Sequence, residues 1–406
     1  MHGSGTMEAS GKTDIYEYTQ EDKAMAFLTE QDRKYKTPED ICAHVGDEYA
    51  AFGGAIVPPI YQNSLFLKPT ASNGIEPGGH FYTRVSNPTI DIAERKVAAL
   101  EGADGALCFS SGMGAISAAI LYFVRANCHV VLVGTAYGPT RAFICRYLAE
   151  KFGVSVTLVD GGTQEIEQAI RPETTLIYLE SPSSCVFKMQ DLEAIAHIAK
   201  ARGVGTVIDG TYATPIHQQP LKYGIDIVCH TASKYMGGHS DIVAGVLAAR
   251  REIIEQIQKN ERELIGTCMD PHQAWLMIRG IRTMPLRLKQ HGKSGMKVAA
   301  FLEKHEKIEQ VFYPGSETYE QKELFNKYLS GTNGLISFVL KGGYDAAMKL
   351  LDSVHLFQHG VSWGGFESLI VYVGGGEAPE GLVRIHVGLE DVETLIADLE
   401  QALAAL

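Results

Sequence analysis

The sequence predicts an α/β protein with a mainly parallel sheet that helices cover on both faces, followed by a smaller α+β region. From about residue 90, short runs rich in β-branched residues alternate with segments of helical periodicity, which is typical of βαβ units. Gly accounts for 42 of the 406 residues, as expected where many strands turn sharply into helices. The length allows two or three domains, and 45% of the residues are hydrophobic, which is enough for a large core.

The beginning of the chain is polar and irregular, and we expect it to form an arm that packs on other parts of the protein. Helices are predicted around Asp22–Glu30 and Pro38–Val45. The pair Pro58-Pro59 then requires an extended path, because proline restricts the residue before it.

Seven strands are predicted in the central part, where aliphatic and β-branched residues cluster in short runs. They are Gly105–Phe109, His129–Gly134, Val154–Val159, Thr174–Leu179, Val204–Asp209, Asp226–Cys229 and Val243–Ala248. The clearest helix between them is Asp191–Arg202, whose apolar residues recur on one face. Polar groups that follow the carboxyl ends of such strands are where a ligand is expected.

The last part of the chain predicts a second, smaller domain. A long helical region runs from about Pro271 to His305, strands are expected at Gly334–Leu340 and Val383–Val387, and an amphipathic helix at Asp391–Ala405 closes the chain. The predicted regions are an N-terminal arm (1–65), a large domain (66–265) and a C-terminal domain (266–406).

Composition excludes several classes of function. Lys and Arg number 36 against 48 Asp and Glu, and the net charge of −12 argues against a nucleic-acid partner. No window reaches the roughly 18 apolar residues that a membrane span needs, so we expect no membrane insertion. The seven Cys show neither a CxxC pair nor a Cys/His metal spacing. They predict reduced, mostly buried thiols in a cytoplasmic protein without a metal site.

The stretch "CHTASKYMGGHSD" carries the most chemical information. Lys234 lies just after a predicted strand, between the hydroxyls of Thr231 and Ser233 and a pair of glycines. A solvent-exposed loop lysine is the ordinary alternative. The neighbouring hydroxyls favour a phosphate beside a reactive amine, since a partly desolvated lysine becomes a nucleophile.

Other candidate residues also follow strand ends. Asp209 in "VIDGTYATP" either caps a helix or pairs with a protonated ring nitrogen. The turn Ser110–Met113 opens a helix, so its free amides suit an anion, although such turns are often only structural. Tyr137 in "GTAYGPT" either stacks on a planar cofactor or packs in the core.

Taken together, the motifs resemble one known family in content and in order. They are "PPIYQNSLF", "YTRVSNPT", "SSGMGA", "LESPSS", "DGTYATP", "SKYMGGHSD", "SWGGFESL" and "VRIHVGLEDVETLIADLEQAL". This pattern resembles the Cys/Met-metabolism pyridoxal-phosphate enzymes, the group of cystathionine synthases and lyases and methionine γ-lyase, over nearly all of the chain after about residue 50. The resemblance implies the aspartate-aminotransferase-like fold (fold type I), with a seven-stranded mainly parallel sheet in the large domain, and pyridoxal 5'-phosphate as cofactor.

The resemblance also implies roles in holding the cofactor. Lys234 forms a Schiff base with it and, once released by substrate, moves the proton of Cα. Asp209 holds the pyridine nitrogen. The phosphate is bound by backbone amides and hydroxyls, which are those of Gly112, Met113, Thr231 and Ser233.

Further implied roles concern the substrate and a partner subunit. Tyr137 stacks on the cofactor ring and takes part in acid–base chemistry near the leaving group. Arg384 in "LVRIHVG" binds the α-carboxylate of a small amino-acid substrate through a bidentate contact, helped by Ser362. Tyr82 and Arg84 in "FYTRVSNPT" reach the phosphate of the neighbouring subunit, which implies a homotetramer built as a pair of dimers.

One position departs from the family pattern. The family usually has Asn after the Asp that binds the pyridine nitrogen, whereas Gly210 follows Asp209 here. This removes a side chain near the cofactor, and its effect on cofactor binding stays open.

The side-chain pocket separates the reactions of the family. Enzymes that cleave cystathionine at Cγ usually carry Glu at the position of Val361, and methionine γ-lyases carry Val there but Cys at the position of Pro139. Bacterial cystathionine β-lyases resemble this chain in "YGP", in "SWGGFESL" with Trp363 and in "RIHVGLED", although an aromatic residue is common at 361. We therefore predict a carbon–sulfur lyase that β-eliminates L-cystathionine, or cysteine and cystine, to pyruvate, ammonia and a thiol. The alternatives are γ-elimination, γ-replacement on an O-acylhomoserine, and a non-catalytic cofactor-binding protein.

Overall fold

The computed structural model describes residues 25–67, 79–375 and 378–406. Its larger sheet has seven strands, and each of the seven predicted strands is observed, with ends shifted by at most two residues. They are β1 Gly105–Phe109, β2 His129–Val133, β3 Ser155–Val159, β4 Thr174–Glu180, β5 Gly205–Asp209, β6 Ile227–His230 and β7 Gly245–Ala249.

The order of these strands is β1-β7-β6-β5-β4-β2-β3. Strands β2 to β6 pair in parallel, and β7 runs antiparallel to both β1 and β6. Every residue of β1, β2, β4, β6 and β7 is buried, so both faces of the sheet are covered. The predicted architecture, a mainly parallel sheet with covered faces, is confirmed.

Helices follow most of the strands, and polar side chains cap several of them. Ser111 Oγ, for example, accepts a hydrogen bond of 3.0 Å from the Gly114 amide at the start of the helix that follows β1. The helices of this part are α1 Pro38–His44, α2 Pro88–Glu101, α3 Gly112–Phe123, α4 Gly138–Ala142, α5 Ala149–Phe152, α6 Thr163–Ala169, α7 Leu192–Arg202, α8 Thr214–His217, α9 Arg251–Ile257 and α10 Glu263–Ile265, with 3-10 turns at Asp32–Lys34 and Pro220–Tyr223 and π-helical segments at Phe143–Leu148 and Gln258–Arg262.

The C-terminal part forms a five-stranded sheet with the order β10-β11-β12-β9-β8. Two of its strands were predicted, β9 and β12, together with the long helix and the closing helix. The elements are α11 Pro271–Leu302, β8 Ile308–Phe312, α12 Lys322–Tyr328, β9 Leu335–Leu340, α13 Gly343–Ser353, β10 Gln358–His359, β11 Leu369–Tyr372, β12 Leu382–His386 and α14 Val392–Ala404.

Helix α11 contributes to both hydrophobic cores. Ala274 and Leu288 in its first half belong to the core around the large sheet, whereas Val298 and Leu302 near its end belong to the core of the small sheet. The division of the chain at residues 265 and 266 stays a prediction.

The N-terminal segment differs in part from the prediction. Residues 25–29 form no helix, so the helix expected around Asp22–Glu30 is wrong where the structure describes it, and residues 22–24 lie outside the described range. The segment does pack on the large domain, because the Arg251 guanidinium lies 3.6 Å from the ring centroid of Phe27. Farther along, Trp275 Nε1 donates to the Pro58 carbonyl at 3.1 Å. No helix within the described residues is long and apolar enough to cross a membrane.

Candidate active site

A cavity of about 290 Å³ lies at the carboxyl ends of β4, β5 and β6, with walls from both parts of the chain. This is the edge of a parallel sheet at which a ligand is expected. The residues that line it are Ser111, Gly112, Met113, Tyr137, Glu180, Ser184, Asp209, Thr211, Tyr212, Thr231, Ser233, Lys234, Val243, Val361, Trp363 and Arg384. A larger cleft of about 680 Å³, lined in part by Asp160, Lys188 and Tyr319, contains none of the predicted site residues.

Lys234 lies in the turn after β6, where its amide donates to the Thr231 carbonyl at 3.1 Å. Its ammonium nitrogen Nζ is 2.6 Å from Ser362 Oγ and 5.5 Å from the ring centroid of Trp363. The Lys234 amine is thus contacted by the loop between β10 and β11, two strands of the small sheet.

The environment of Lys234 favours its neutral form. Burial lowers its pKa to about 8, and the positive charge of Arg384 acts in the same direction, while Asp209 and Glu367 oppose the shift. A lysine with a pKa near 8 is neutral in a substantial fraction of molecules at slightly alkaline pH. This is what a nucleophile or a general base requires.

Asp209 is the last residue of β5 and is buried. Its Oδ1 accepts hydrogen bonds from the Thr211 amide at 2.9 Å and from Thr211 Oγ1 at 2.5 Å. Its Oδ2 accepts no hydrogen bond from the described residues. Burial raises the pKa of Asp209, and the Thr211 hydrogen bonds and the charges of His230 and Lys234 counteract this. A cation that enters the cavity would pair with this oxygen.

The amino end of α3 forms a second polar wall. Gly112 begins this helix so close to Thr231 that an added Cβ would lie 2.1 Å from Thr231 Oγ1. Ser233 Oγ accepts from the Ala244 amide at 2.9 Å and donates to the Ala244 carbonyl at 3.3 Å. The Thr231 hydroxyl and the free amides at the helix start make a suitable site for an anion.

Arg384 is contributed by β12 of the small sheet and is 8% exposed. Its Nη1 donates to the Ser184 carbonyl at 3.0 Å, and its Nη2 donates to the Val361 carbonyl at 2.8 Å. These two carbonyls hold the guanidinium at the cavity wall. An arginine fixed in this way is suited to a carboxylate.

The remaining walls are aromatic and aliphatic. Tyr137 follows β2 and is 48% exposed, whereas Trp363 is buried. Val361 lines the cavity, but its side chain is 78% exposed, so it lies at the mouth. Val243, which sequence analysis placed in a strand, precedes β7 and also lines the mouth.

Tyr82 and Arg84 are not brought into this cavity. Arg84 Nη1 donates to the Glu263 carbonyl at 2.6 Å, and its guanidinium lies 5.4 Å from the Tyr82 ring centroid. Among the described lining residues only Lys234 and Arg384 are cationic, and neither lies at the amino end of α3. The anion-binding wall of one chain therefore lacks a positive side chain.

Glu180 is the main site residue to which sequence analysis gave no role. It stands in "LESPSS" at the end of β4 and, across the strand pair, opposite Asp209. Burial and the charge of Asp209 raise its pKa to about 8. Its position at a strand end was the only signal in the sequence.

The space beside Gly210 is filled by neighbouring side chains. A Cβ added there would lie 2.9 Å from His230 Cε1 and 3.0 Å from Val228 Cγ2. His230 Nε2 in turn lies 2.5 Å from Glu101 Oε1, and both side chains are buried. The imidazole fills the space that a side chain at 210 would need.

These residues fit pyridoxal 5'-phosphate. Asp209 Oδ2 is available to pair with a ring nitrogen, and Lys234 supplies the amine. Because Gly112 lies so close to Thr231, the amides of the helix start and the Thr231 hydroxyl can bind one phosphate group together. No group of three or more His, Cys, Asp or Glu in the described parts of the chain is arranged to hold a metal ion.

Comparisons with known proteins identify the family of the chain. Residues 39–374 match the profile of the family described as Cys/Met metabolism PLP-dependent enzyme. The chain is 38% identical to L-methionine gamma-lyase of Pseudomonas putida, over 89% of this chain and 96% of that protein. It is also 38% identical to cystathionine gamma-lyase of Bacillus subtilis, over 88% and 96%. The solved structure of metB from Corynebacterium glutamicum superimposes with a TM-score of 0.87 at 35% identity, covering 91% of this chain and 98% of that one. The chain thus belongs to the Cys/Met metabolism PLP-dependent enzyme family, as a pyridoxal-phosphate-dependent lyase of fold type I.

Proposed function

We propose that this lyase β-eliminates sulfur amino acids, L-cystathionine first among them, to pyruvate, ammonia and a thiol. The observation that carries the proposal is the meeting of Lys234, Asp209 and Arg384 in one cavity that also has an apolar side, formed by Val243, Val361 and Trp363. Each of the three charged residues supplies a different function that the reaction needs.

Residues of the cavity would hold the cofactor at both of its polar ends. Asp209 would pair through Oδ2 with the ring nitrogen, and the amides of Gly112 and Met113 together with the hydroxyls of Thr231 and Ser233 would bind the phosphate. The Tyr137 ring would stack on the pyridine. When bound, pyridoxal phosphate supplies an electron sink that acidifies the Cα–H of the substrate.

Lys234 would hold the cofactor through its amine and is placed to act as the base of the reaction. Its Nζ, when neutral, can accept the proton of the substrate Cα. The lowered pKa of Lys234 makes the neutral, proton-accepting form accessible, and Ser362 Oγ at 2.6 Å fixes the position of Nζ in the cavity.

Arg384 orients the substrate. Its guanidinium is fixed by the carbonyls of Ser184 and Val361, so the remaining N–H groups are directed before the α-carboxylate arrives. Such preorganisation reduces the entropy lost on binding.

The apolar walls favour a thioether next to Cβ. Trp363, Val361 and Tyr137 surround the space beyond Lys234, and sulfur is soft and only weakly hydrogen-bonding. One further carboxyl group, that of Glu180, lines the cavity. Both Glu180 oxygens accept backbone amides, however, so neither is free to remove a proton from Cβ. Loss of the Cβ substituent needs no such second base.

γ-Elimination is the second candidate, and a specific observation favours it. The relatives described above are named L-methionine gamma-lyase and cystathionine gamma-lyase, and Val361 matches the residue usual in methionine γ-lyases. In that reaction Lys234 would remove protons from both Cα and Cβ. γ-Replacement on an O-acylhomoserine would use the same residues.

We also propose that a second copy of the chain completes the site. Tyr82 and Arg84 lie together beside Glu263, outside the cavity of their own chain. An arginine donated by the neighbouring subunit would supply the positive charge that the phosphate-binding wall lacks, within a homotetramer of paired dimers.

Product analysis tests the proposed reaction. The holoenzyme is incubated in parallel with L-cystathionine, L-cystine, L-methionine and O-acetylhomoserine, and the keto acids are separated by chromatography. We expect pyruvate, ammonia and homocysteine from cystathionine. Dominant 2-oxobutyrate from cystathionine or methionine would contradict β-elimination and support γ-elimination.

A further inference from the structure

Glu180 forms hydrogen bonds to two loops of the active site, the loop after β2 and the loop after β4. It is 4% exposed and ends β4 next to Asp209 on β5, so two buried carboxyl groups stand side by side at the cavity floor. The cofactor pairs with only one of them under the proposed function. The role of the other has to be found in its hydrogen bonds.

Both oxygens of Glu180 bind backbone amides from different loops. Oε2 accepts from the Tyr137 amide at 2.6 Å, and Oε1 accepts from the Ser184 amide at 2.9 Å. Tyr137 is 43 residues away in the sequence, in the loop after β2, whereas Ser184 lies in the loop after β4. Glu180 therefore fixes the loop of the stacking ring relative to a second loop.

The second loop contacts Arg384, the arginine that would bind the substrate carboxylate. The Ser184 carbonyl accepts from Arg384 Nη1 at 3.0 Å, so the Ser184 peptide is held by Glu180 on one side and holds Arg384 on the other. We propose that Glu180 is a positioning residue that sets the location of Arg384, and with it the affinity for the substrate α-carboxylate, while fixing the loop of Tyr137. This proposal rests on the proposed function, in which Arg384 binds that carboxylate.

Replacing Glu180 by Gln keeps the size and shape of the side chain and removes its ability to ionise. Gln, however, presents one oxygen where Glu presents two, so one of the two amides loses its acceptor.

The experiment compares Glu180→Gln with Asp398→Asn, using glycine and glycinamide as probes. Asp398 is also buried, accepts from the backbone amides of His355 at 2.9 Å and Leu356 at 2.8 Å and lies outside the cavity lining, so it is a matched control for the loss of a buried carboxylate that binds two amides. The dissociation constant of pyridoxal phosphate is first measured by fluorescence titration of the apoprotein, so that both probes are titrated at saturating cofactor. Glycine and glycinamide are titrated into the holoenzyme by cofactor absorbance, and they differ only in the carboxylate.

Glu180→Gln is expected to weaken glycine about tenfold, the effect of one charge-assisted hydrogen bond. The affinity for glycinamide should stay within about twofold. Asp398→Asn should change neither affinity relative to the wild type. If glycine and glycinamide weaken equally, or if glycine is unaffected, the positioning role is wrong.

Two further measurements keep the result interpretable. If Glu180→Gln does not fold, Glu180→Asp is titrated in the same way, because its shorter side chain cannot reach both amides and should show the same selective loss. The contrast between glycine and glycinamide does not depend on which bond is cleaved, since glycine has no Cβ. If the product analysis finds no pyruvate, the proposed reaction is wrong. The comparison of glycine with glycinamide still tests the role of Glu180.

Discussion

The contact between Gly112 and Thr231 allows a sharp prediction about cofactor binding. An alanine at 112 would place its Cβ 2.1 Å from Thr231 Oγ1, 2.8 Å from Thr231 Cβ and 2.9 Å from Thr231 Cγ2. The backbone φ of Gly112 is not in the left-handed region, so alanine meets no conformational penalty there. The effect of Gly112→Ala comes only from the displacement of Thr231.

The magnitude has two separate parts. Forcing an extra methyl group into a packed position costs about 1–3 kcal/mol of folding stability. Moving the Thr231 hydroxyl away from the phosphate removes a hydrogen bond to a charged group, which is worth about 1.5–3 kcal/mol. Because about 1.4 kcal/mol corresponds to tenfold in an equilibrium constant, cofactor affinity should fall by roughly 10- to 100-fold.

The matched control is Gly138→Ala. Gly138 also begins a helix, α4, and a Cβ added there meets no atom within 4 Å. Cofactor affinity is measured by titrating the apoproteins with pyridoxal phosphate, and stability by urea unfolding. A Gly112→Ala protein that binds pyridoxal phosphate as tightly as the Gly138→Ala protein would refute the assignment of this wall to the phosphate.

Two further predictions concern Lys234 and the subunit interface. Lys234 has a pKa of about 8 in the folded chain against 10.5 when unfolded, so its burial penalty is complete below pH 8 and disappears as the pH rises to about 10.5. Lys234→Met should therefore stabilise the apoprotein at pH 7 by at most about 3 kcal/mol. Urea unfolding should show that this gain in stability becomes smaller as the pH rises. A gain that does not depend on pH would contradict the lowered pKa of Lys234. Mixed Arg84→Ala and Lys234→Ala subunits should recover part of the activity that each variant lacks alone, because a hybrid dimer contains one intact site. Verified hybrids without activity would show that each site is complete within one chain.

The large sheet could be predicted because its strands carry their own signal. A strand that is buried on both faces, such as His129–Val133, is a continuous aliphatic run, and its ends follow from the residue pattern. The strands of the small sheet were less predictable from their own residues. The two-residue strand Gln358–His359 is exposed and exists only through its pairing with Leu369–Ile370, which no local pattern indicates.

The helix expected around Asp22–Glu30 shows how distant contacts can override local propensity. The Thr29 amide donates to Asp32 Oδ2 at 3.0 Å, and the same carboxylate binds the Gly46 amide through Oδ1 and the Arg95 guanidinium. These contacts fix the chain before Asp32 in a non-helical path. Their partners lie 14 and 63 residues farther along.

Site residues were predictable where their chemistry follows a strand end. Asp209 ends a strand, Lys234 lies in the turn after a strand and Gly112 begins a helix, and the topology brings these three places to one cavity. Glu180 stands at an equivalent place, but its partners are backbone amides of Tyr137 and Ser184. Every residue except proline carries such an amide, so the sequence contained no indication of the partners.

The assignment of Lys234 as the cofactor-bearing residue is the central claim, and chemical labelling tests it most directly. The holoenzyme is reduced with borohydride, digested, and analysed by peptide mass spectrometry, with the Lys234→Ala protein as control. We predict a pyridoxyl group on the peptide that contains Lys234 and no labelled peptide in the control. A stable label on another lysine, or equal labelling of the Lys234→Ala protein, would contradict the assignment and with it the proposed mechanism.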